Sequence, residues 1–426
     1  MIDVPRRHAG LLRRGFEASR QLAASGTIFA GEALAGVFGF GFGVLGARSV
    51  GLREYGYFGI ASAAAATALI VLDVRLEDLV LRRFQEHLAG KHDGSVWSGY
   101  LWGDLAFGLL RFVLLVAPVL LIPFLRSSAV GGLFVIVVAG SALSSADPSV
   151  STVLNAQGRR RRVASSRVVP QLAALLGVLL FRPRSAMGLA TISAVTPAFG
   201  TAVLWTALVG TVRAPSSFGG FVRRRSEWLR TVVLLSAGST LRGPAANLDQ
   251  LIVGGVLGPT KAGIYRLAKS FSSLPGVAAA SLRFAETPRI MAAAVRGDQA
   301  GLRHELARLT VLSTALGGLA TIAWLALGRS VLHLVGPAFG PVYLVAALLF
   351  VAGTLDYATS WSKTVPVILD RPRWALIEGV IYLVLTPPAI FAGTKVGGLT
   401  GTALIMIAIT TTGSIAWIWT TARRLQ

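Results

Sequence analysis

The sequence contains no cysteine, which excludes disulfides, thiolate metal sites and a cysteine nucleophile. Charged residues are also scarce, at 14% of the chain against 54% hydrophobic, where a soluble domain carries about 25%. Acidic residues are fewer still, 19 against 41 Lys and Arg. The five histidines are scattered, and His304-Glu305 has no second His at ligand spacing, so no metal site is expected. No Gly-x4-Gly-Lys-Ser/Thr loop occurs, and the chain is not expected to hydrolyse ATP or to be an enzyme.

Present instead are long apolar runs and a mean hydropathy of +0.66. Runs of roughly 18–25 residues match the hydrocarbon thickness of a bilayer. About twelve spans are expected, near 25–46, 55–74, 98–125, 130–153, 164–181, 187–211, 230–256, 263–285, 306–327, 339–366, 374–393 and 397–420. The fold class is an all-α integral membrane protein with about 12 transmembrane helices in two pseudo-symmetric six-helix bundles. The connections alternate in charge, with 27 Lys and Arg in one set and eight in the other. The basic set should face the cytoplasm, with both termini on that side. The net charge of +22 is therefore read as a topology signal, reinforced by anionic lipid, and no nucleic-acid partner is expected.

The division expected is a basic N-terminus (1–24), a first bundle (25–211), a basic linker (212–229), a second bundle (230–420) and a short tail (421–426). Residues 1–24 have no apolar segment of their own before the first span, so no cleavable signal peptide is expected. The apolar residues Leu76, Leu79, Val80, Leu81, Phe84 and Leu88, at near-helical spacing among charges, suggest that the second helix runs on beyond the membrane. Outward connections are short and leave no room for a catalytic domain.

The two halves share one local pattern. Shifted by 207 positions, Gly51-Leu-Arg-Glu-Tyr-Gly56-Tyr-Phe-Gly-Ile-Ala61 falls on Gly258-Pro-Thr-Lys-Ala-Gly263-Ile-Tyr-Arg-Leu-Ala268. Each copy ends an apolar helix in Gly and opens the next with a second Gly, as in a duplicated bundle. Gly or Pro also interrupts several spans, the Gly39/Gly43 pair and Pro148, Pro170, Pro197 and Pro387 among them. Such breaks mark close helix packing or a cavity.

With these residues in view the chain resembles the Wzx-type polysaccharide flippases of the MOP (MATE-like) exporter superfamily. The resemblance rests on Ala47-Arg-Ser-Val-Gly51-Leu-Arg-Glu-Tyr-Gly56-Tyr-Phe, on Asp249 through Ala268, and on Pro288. One departure is Asp73-Val-Arg75-Leu76, where the family has Asp-x-Gly-Leu. The resemblance implies alternating-access export of an undecaprenyl-(pyro)phosphate-linked oligosaccharide across the bacterial cytoplasmic membrane. It further implies coupling to H+ or Na+, no other cofactor, and glycan polymerase and glycosyltransferases as partners. A drug or metabolite antiporter of the same superfamily is the alternative, and a non-transporting scaffold a third reading.

Ionisable groups inside spans are costly and need a reason. Arg242, Arg266 and Lys269 are expected to line a cationic cavity for a phosphorylated cargo, with Arg111 contributed by the first half. The competing reading pairs Asp249 with Arg266 or Lys269 as a helix clamp. Asp104 and Arg111, seven apart, share a face. Glu32, Asp104, Asp249 and Asp356 are the candidates for ion coupling.

Overall fold

In the computed structural model, residues 5–72, 76–88, 90–91, 93–123, 128–212, 218–223, 245–295, 298–363 and 372–424 are described. They are helical almost throughout, and no strand occurs among them. In the first half these are α1 (Pro5–Val71), α2 (Glu77–Leu88), α3 (Gly94–Leu121), α4 (Ala129–Leu143), α5 (Asp147–Ala156), α6 (Arg160–Phe181), α7 (Ala186–Val195), α8 (Pro197–Leu208) and α9 (Phe218–Arg223). The second half holds α10 (Ala245–Leu257), α11 (Pro259–Ser272), α12 (Leu274–Val295), α13 (Gln299–Val335), α14 (Val342–Ala358) and α15 (Pro372–Arg424).

Local chemistry sets the breaks. α1 is two helices joined at Gly51 (φ 80°, ψ 163°), and α15 is two joined at Gly398 (φ 59°, ψ −140°). Both glycines occupy conformations closed to other L-residues. α3, α4 and α13 begin at Asp93, Ser128 and Asp298, whose side chains accept backbone N–H groups of the first turn. Pro197 divides α7 from α8, and Pro148 stands in the first turn of α5.

Helix lies within each of the twelve stretches read from the sequence, though 73–74, 124–125, 230–244 and 364–366 lie outside the described residues and turns interrupt others, as at 144–146. Among the described residues, seven helical stretches are long and apolar enough to cross a membrane, two of them running through the Gly51 and Gly398 breaks. Their outer surfaces are apolar. Leu109, Leu110, Val113 and Leu114 on α3, Leu176, Leu179 and Leu180 on α6, and Leu319, Ile322 and Leu325 on α13 are all exposed. In water so large a surface would aggregate, whereas in lipid it is solvated.

α2 forms as a separate helix, and its apolar stripe turns inward. Leu76, Leu79, Val80 and Phe84 are buried against Trp97, Tyr100 and Leu101 of α3. The corner 73–75 lies outside the described residues. The described part of the linker, α9, docks on the same core, with Phe221 against Tyr100 and facing Gly103.

Candidate functional site

The largest core joins the two halves, bringing Ala47, Tyr55 and Phe58 of α1 together with Val253, Ala262, Tyr265 and Phe271. At its heart the two Gly-rich turns cross. Gly51 and Gly258 have nearly the same backbone, φ 80° with ψ 163° and φ 81° with ψ 174°. A Cβ built on Gly56 would lie 2.6 Å from the Pro259 carbonyl carbon, and one built on Gly263 would lie 3.0 Å from that of Leu52. Leu52 and Pro259 are themselves 207 apart, as are Gly56 and Gly263. The contact is therefore reciprocal, each half offering the same backbone edge to the other's glycine, as across a two-fold axis. From the crossing the contact runs along α1, Gly43 facing Ser270 and Gly36 facing Val277.

The Gly51 turn also meets the turn into α7, where the Glu54 carboxylate accepts from the Ala186 N–H at 2.9 Å. At the opposite end of the first half, Arg159 donates to the Ala207 carbonyl.

Beside the crossing lies a polar hub. Asp249 is 1% exposed and accepts from Lys269 Nζ on both oxygens at 2.8 Å, from Tyr265 Oη at 2.9 Å and from the Gln250 N–H at 2.7 Å. Four hydrogen bonds from three donors satisfy a carboxylate that burial alone would penalise. Gln250 Nε2 donates to the Ala262 carbonyl at 2.9 Å and ties α10 to α11. Lys269 is thus neutralised by Asp249, and the helix-clamp reading describes this pair.

Arg266 reaches across to the first half. Its guanidinium lies 4.6 Å from the centre of the Phe58 ring and 5.6 Å from that of Tyr55, and Nη1 donates to the Gly59 carbonyl at 3.3 Å. Gly59 admits it, since a Cβ there would meet Arg266 Cδ at 2.8 Å. Arg266 thus bridges the two halves, while Lys269 is the partner of Asp249. Arg242 lies outside the described residues.

The remaining candidates are apart from this hub. Asp104 is buried and accepts from Ser149 Oγ. With Arg111, Glu77, Ser141 and Ser145 it lines a cavity of about 170 Å³ inside the first half, so the shared face expected for Asp104 and Arg111 is present there. Arg111 does not join Arg266 and Lys269. Glu32 is half-exposed and faces Arg167 Nε at 3.7 Å. Asp356 is exposed in the last turn of α14. Gly39 and Gly43 pack closely, against Gln171 and against Tyr55 Oη.

Tyr55, Phe58, Gly59, Gln250 and Tyr265 complete the site and are additions to the sequence-based set. One signal for them existed: the 207-residue shift lays Gly59 on Arg266, the two residues that meet.

No family model matches the chain, and no curated protein does. Solved structures do. The inward-facing conformation of a multidrug resistance MATE family transporter of the MOP superfamily matches over 94% of both chains, with TM-score 0.65 and 13% identity. The outward-facing conformation of such a transporter matches over 95% of this chain and 94% of that one, with TM-score 0.59 and 14% identity. A MATE in complex with MaL6 matches over 95% of each, at 0.60 and 12%. At these identities the likeness is one of fold. The chain is an all-helical, multi-pass membrane protein with the fold of the MATE transporters of the MOP superfamily.

Proposed function

We propose that the chain is an alternating-access transporter of the bacterial cytoplasmic membrane that moves a polyprenyl-(pyro)phosphate-linked oligosaccharide from the inner to the outer leaflet. The observation that carries the transport reading is the reciprocal crossing at Gly56 and Gly263. Two halves that meet through a pseudo-two-fold backbone contact at one end close that side while the other is open, and part there when the other closes. Solved relatives in fold include both inward- and outward-facing conformations, and the inward-facing one is the nearer of that pair.

The charge arrangement supports an anionic cargo. The carboxylates of Asp249, Asp104 and Asp147 are engaged, Asp249 by Lys269 and Tyr265, Asp104 by Ser149, and Asp147 by Thr201 at 2.9 Å. They offer little to a cationic drug. Arg159 to Arg162 of the first half instead cluster around one groove. Asp104 and Glu32 are carried forward as candidates for binding a coupling H+ or Na+. Exposed Asp356 favours a second reading, a drug or metabolite antiporter with that carboxylate as the cation-binding group.

The test is reconstitution in proteoliposomes. A fluorescent polyprenyl-diphosphate oligosaccharide on the inner face should become accessible to an added glycosidase or quencher only when the protein is present. Efflux of cationic dyes without movement of the lipid-linked glycan would overturn the cargo assignment in favour of the antiporter. Movement of neither would overturn transport itself.

A further inference from the structure

α6 opens on four consecutive arginines, Arg159 as its cap and Arg160 to Arg162 as its first turn. Helix electrostatics disfavours this. The N-terminus carries about half a positive charge and attracts anions, and Arg159 and Arg162 are like charges three apart. No side-chain hydrogen bond caps the helix. Among the described residues none of the four forms an ion pair, the nearby Glu32 being engaged with Arg167. Positive loops on the inner side explain basic residues anywhere between α5 and α6. They do not explain placing four of them where the helix itself repels cations.

The four arginines line a groove of about 640 Å³ with Thr27, Thr206 and Val209, and no carboxylate is among its lining residues. Arg159 is held in one wall by the Ala207 carbonyl. Thr27 stands nine residues before Gly36, where α1 meets Val277 of the second half, which is about 14 Å by helical rise. The groove therefore lies at the foot of the helix that leads to the contact between the halves. Its guanidiniums, with no carboxylate among the described lining residues, suit a ligand with several adjacent anionic oxygens.

We propose that this groove binds the diphosphate headgroup of the lipid-linked cargo in the inner leaflet, loading it before it passes between the halves. The proposal rests on the flippase reading above. Four cations in one turn call for more than one negative charge, and guanidinium forks match phosphate oxygens in pairs.

The test uses the full chain in phosphatidylcholine nanodiscs, with farnesyl diphosphate as probe and farnesyl monophosphate and phosphatidylglycerol as comparisons, read by native mass spectrometry. The variant R160K/R161K/R162K keeps the positive charge, and hence the membrane orientation, but loses the forks. Its diphosphate affinity should fall about tenfold. The variant R160Q/R161Q/R162Q, with orientation checked by labelling, should lose binding further, and the monophosphate should bind more weakly than the diphosphate. Unchanged diphosphate binding in both variants overturns the proposal. So does phosphatidylglycerol binding as tightly as the diphosphate, which would make the groove a seat for a resident lipid. Failure of the functional reading looks different: diphosphate binding would persist while the wild-type protein moved no lipid-linked glycan.

Discussion

Gly56→Ala tests the crossing directly. The added Cβ would stand 2.6 Å from the Pro259 carbonyl carbon and 2.9 Å from the Gly263 nitrogen. Carbon contacts are optimal near 3.5–4.0 Å, so the halves must part by about 1 Å or more. Both clashing groups are backbone and have no rotamer to escape into. Overpacking of this kind costs about 1–3 kcal/mol. If the contact is made in only one state of the transport cycle, that energy falls on the state with the crossing closed. The population ratio should then shift by about 5- to 150-fold. The chain has no native cysteine, so spin labels can be placed uniquely at Arg53→Cys and Lys261→Cys, both exposed beside the turns. In the wild type the distance distribution should be dominated by a short component. Gly56→Ala should move weight to a longer one. Gly263→Ala should do the same to a similar extent, because the contact is reciprocal. Gly255→Ala, with nothing within 4 Å of its would-be Cβ, should leave the distribution unchanged and strengthen its helix by about 1 kcal/mol. An unaltered distribution in both Gly56→Ala and Gly263→Ala would refute the tight crossing.

Further outcomes follow from the hub and the linker. Asp249→Ala strands Lys269 and should cost about 3 kcal/mol, the low end for a broken buried pair because Lys269 keeps part of its surface in solvent. The double variant D249L/K269M should recover part of that loss in thermal unfolding, and a double variant as unstable as the single would refute pairwise neutralisation. Arg266→Gln removes a cation–π contact of about 0.5–2 kcal/mol and should lower kcat for transport while leaving KM for the cargo unchanged. A tenfold rise in KM at constant kcat would instead make Arg266 a cargo ligand. Phe221→Ala, which empties the seat beside Gly103, should cost about 3 kcal/mol and expose the linker to limited proteolysis. Wild-type resistance to protease would show that α9 is held otherwise.

The helices were legible because lipid demands long apolar runs whose backbone bonds close on themselves. The pair of turns was legible for a related reason. Only Gly tolerates the φ of residues 51 and 258, so a duplicated turn keeps its glycines when its side chains drift. Asp249, Arg266 and Lys269 also stood out as one neighbourhood, because charges in spans are rare. Which acid took which cation was not legible. Lys269 and Arg266 lie three apart on one helix, and the choice between them turns on Phe58 and Tyr55, which α1 brings from some 200 positions away. Asp104 was recognisable as an unusual group, but its partner Ser149 arrives by the break between α4 and α5. The end of α2 illustrates the same limit, since its apolar stripe announced a helix without saying that α3 would cover it.

In the proposed transport cycle the halves separate at the Gly56–Gly263 crossing for cargo to leave on that side. A bifunctional thiol reagent joining Arg53→Cys to Lys261→Cys holds the crossing shut, and a cleavable version releases it. Linked protein in proteoliposomes should move no lipid-linked glycan and regain full activity once the linker is cut. Full-rate movement by the linked protein would contradict the account.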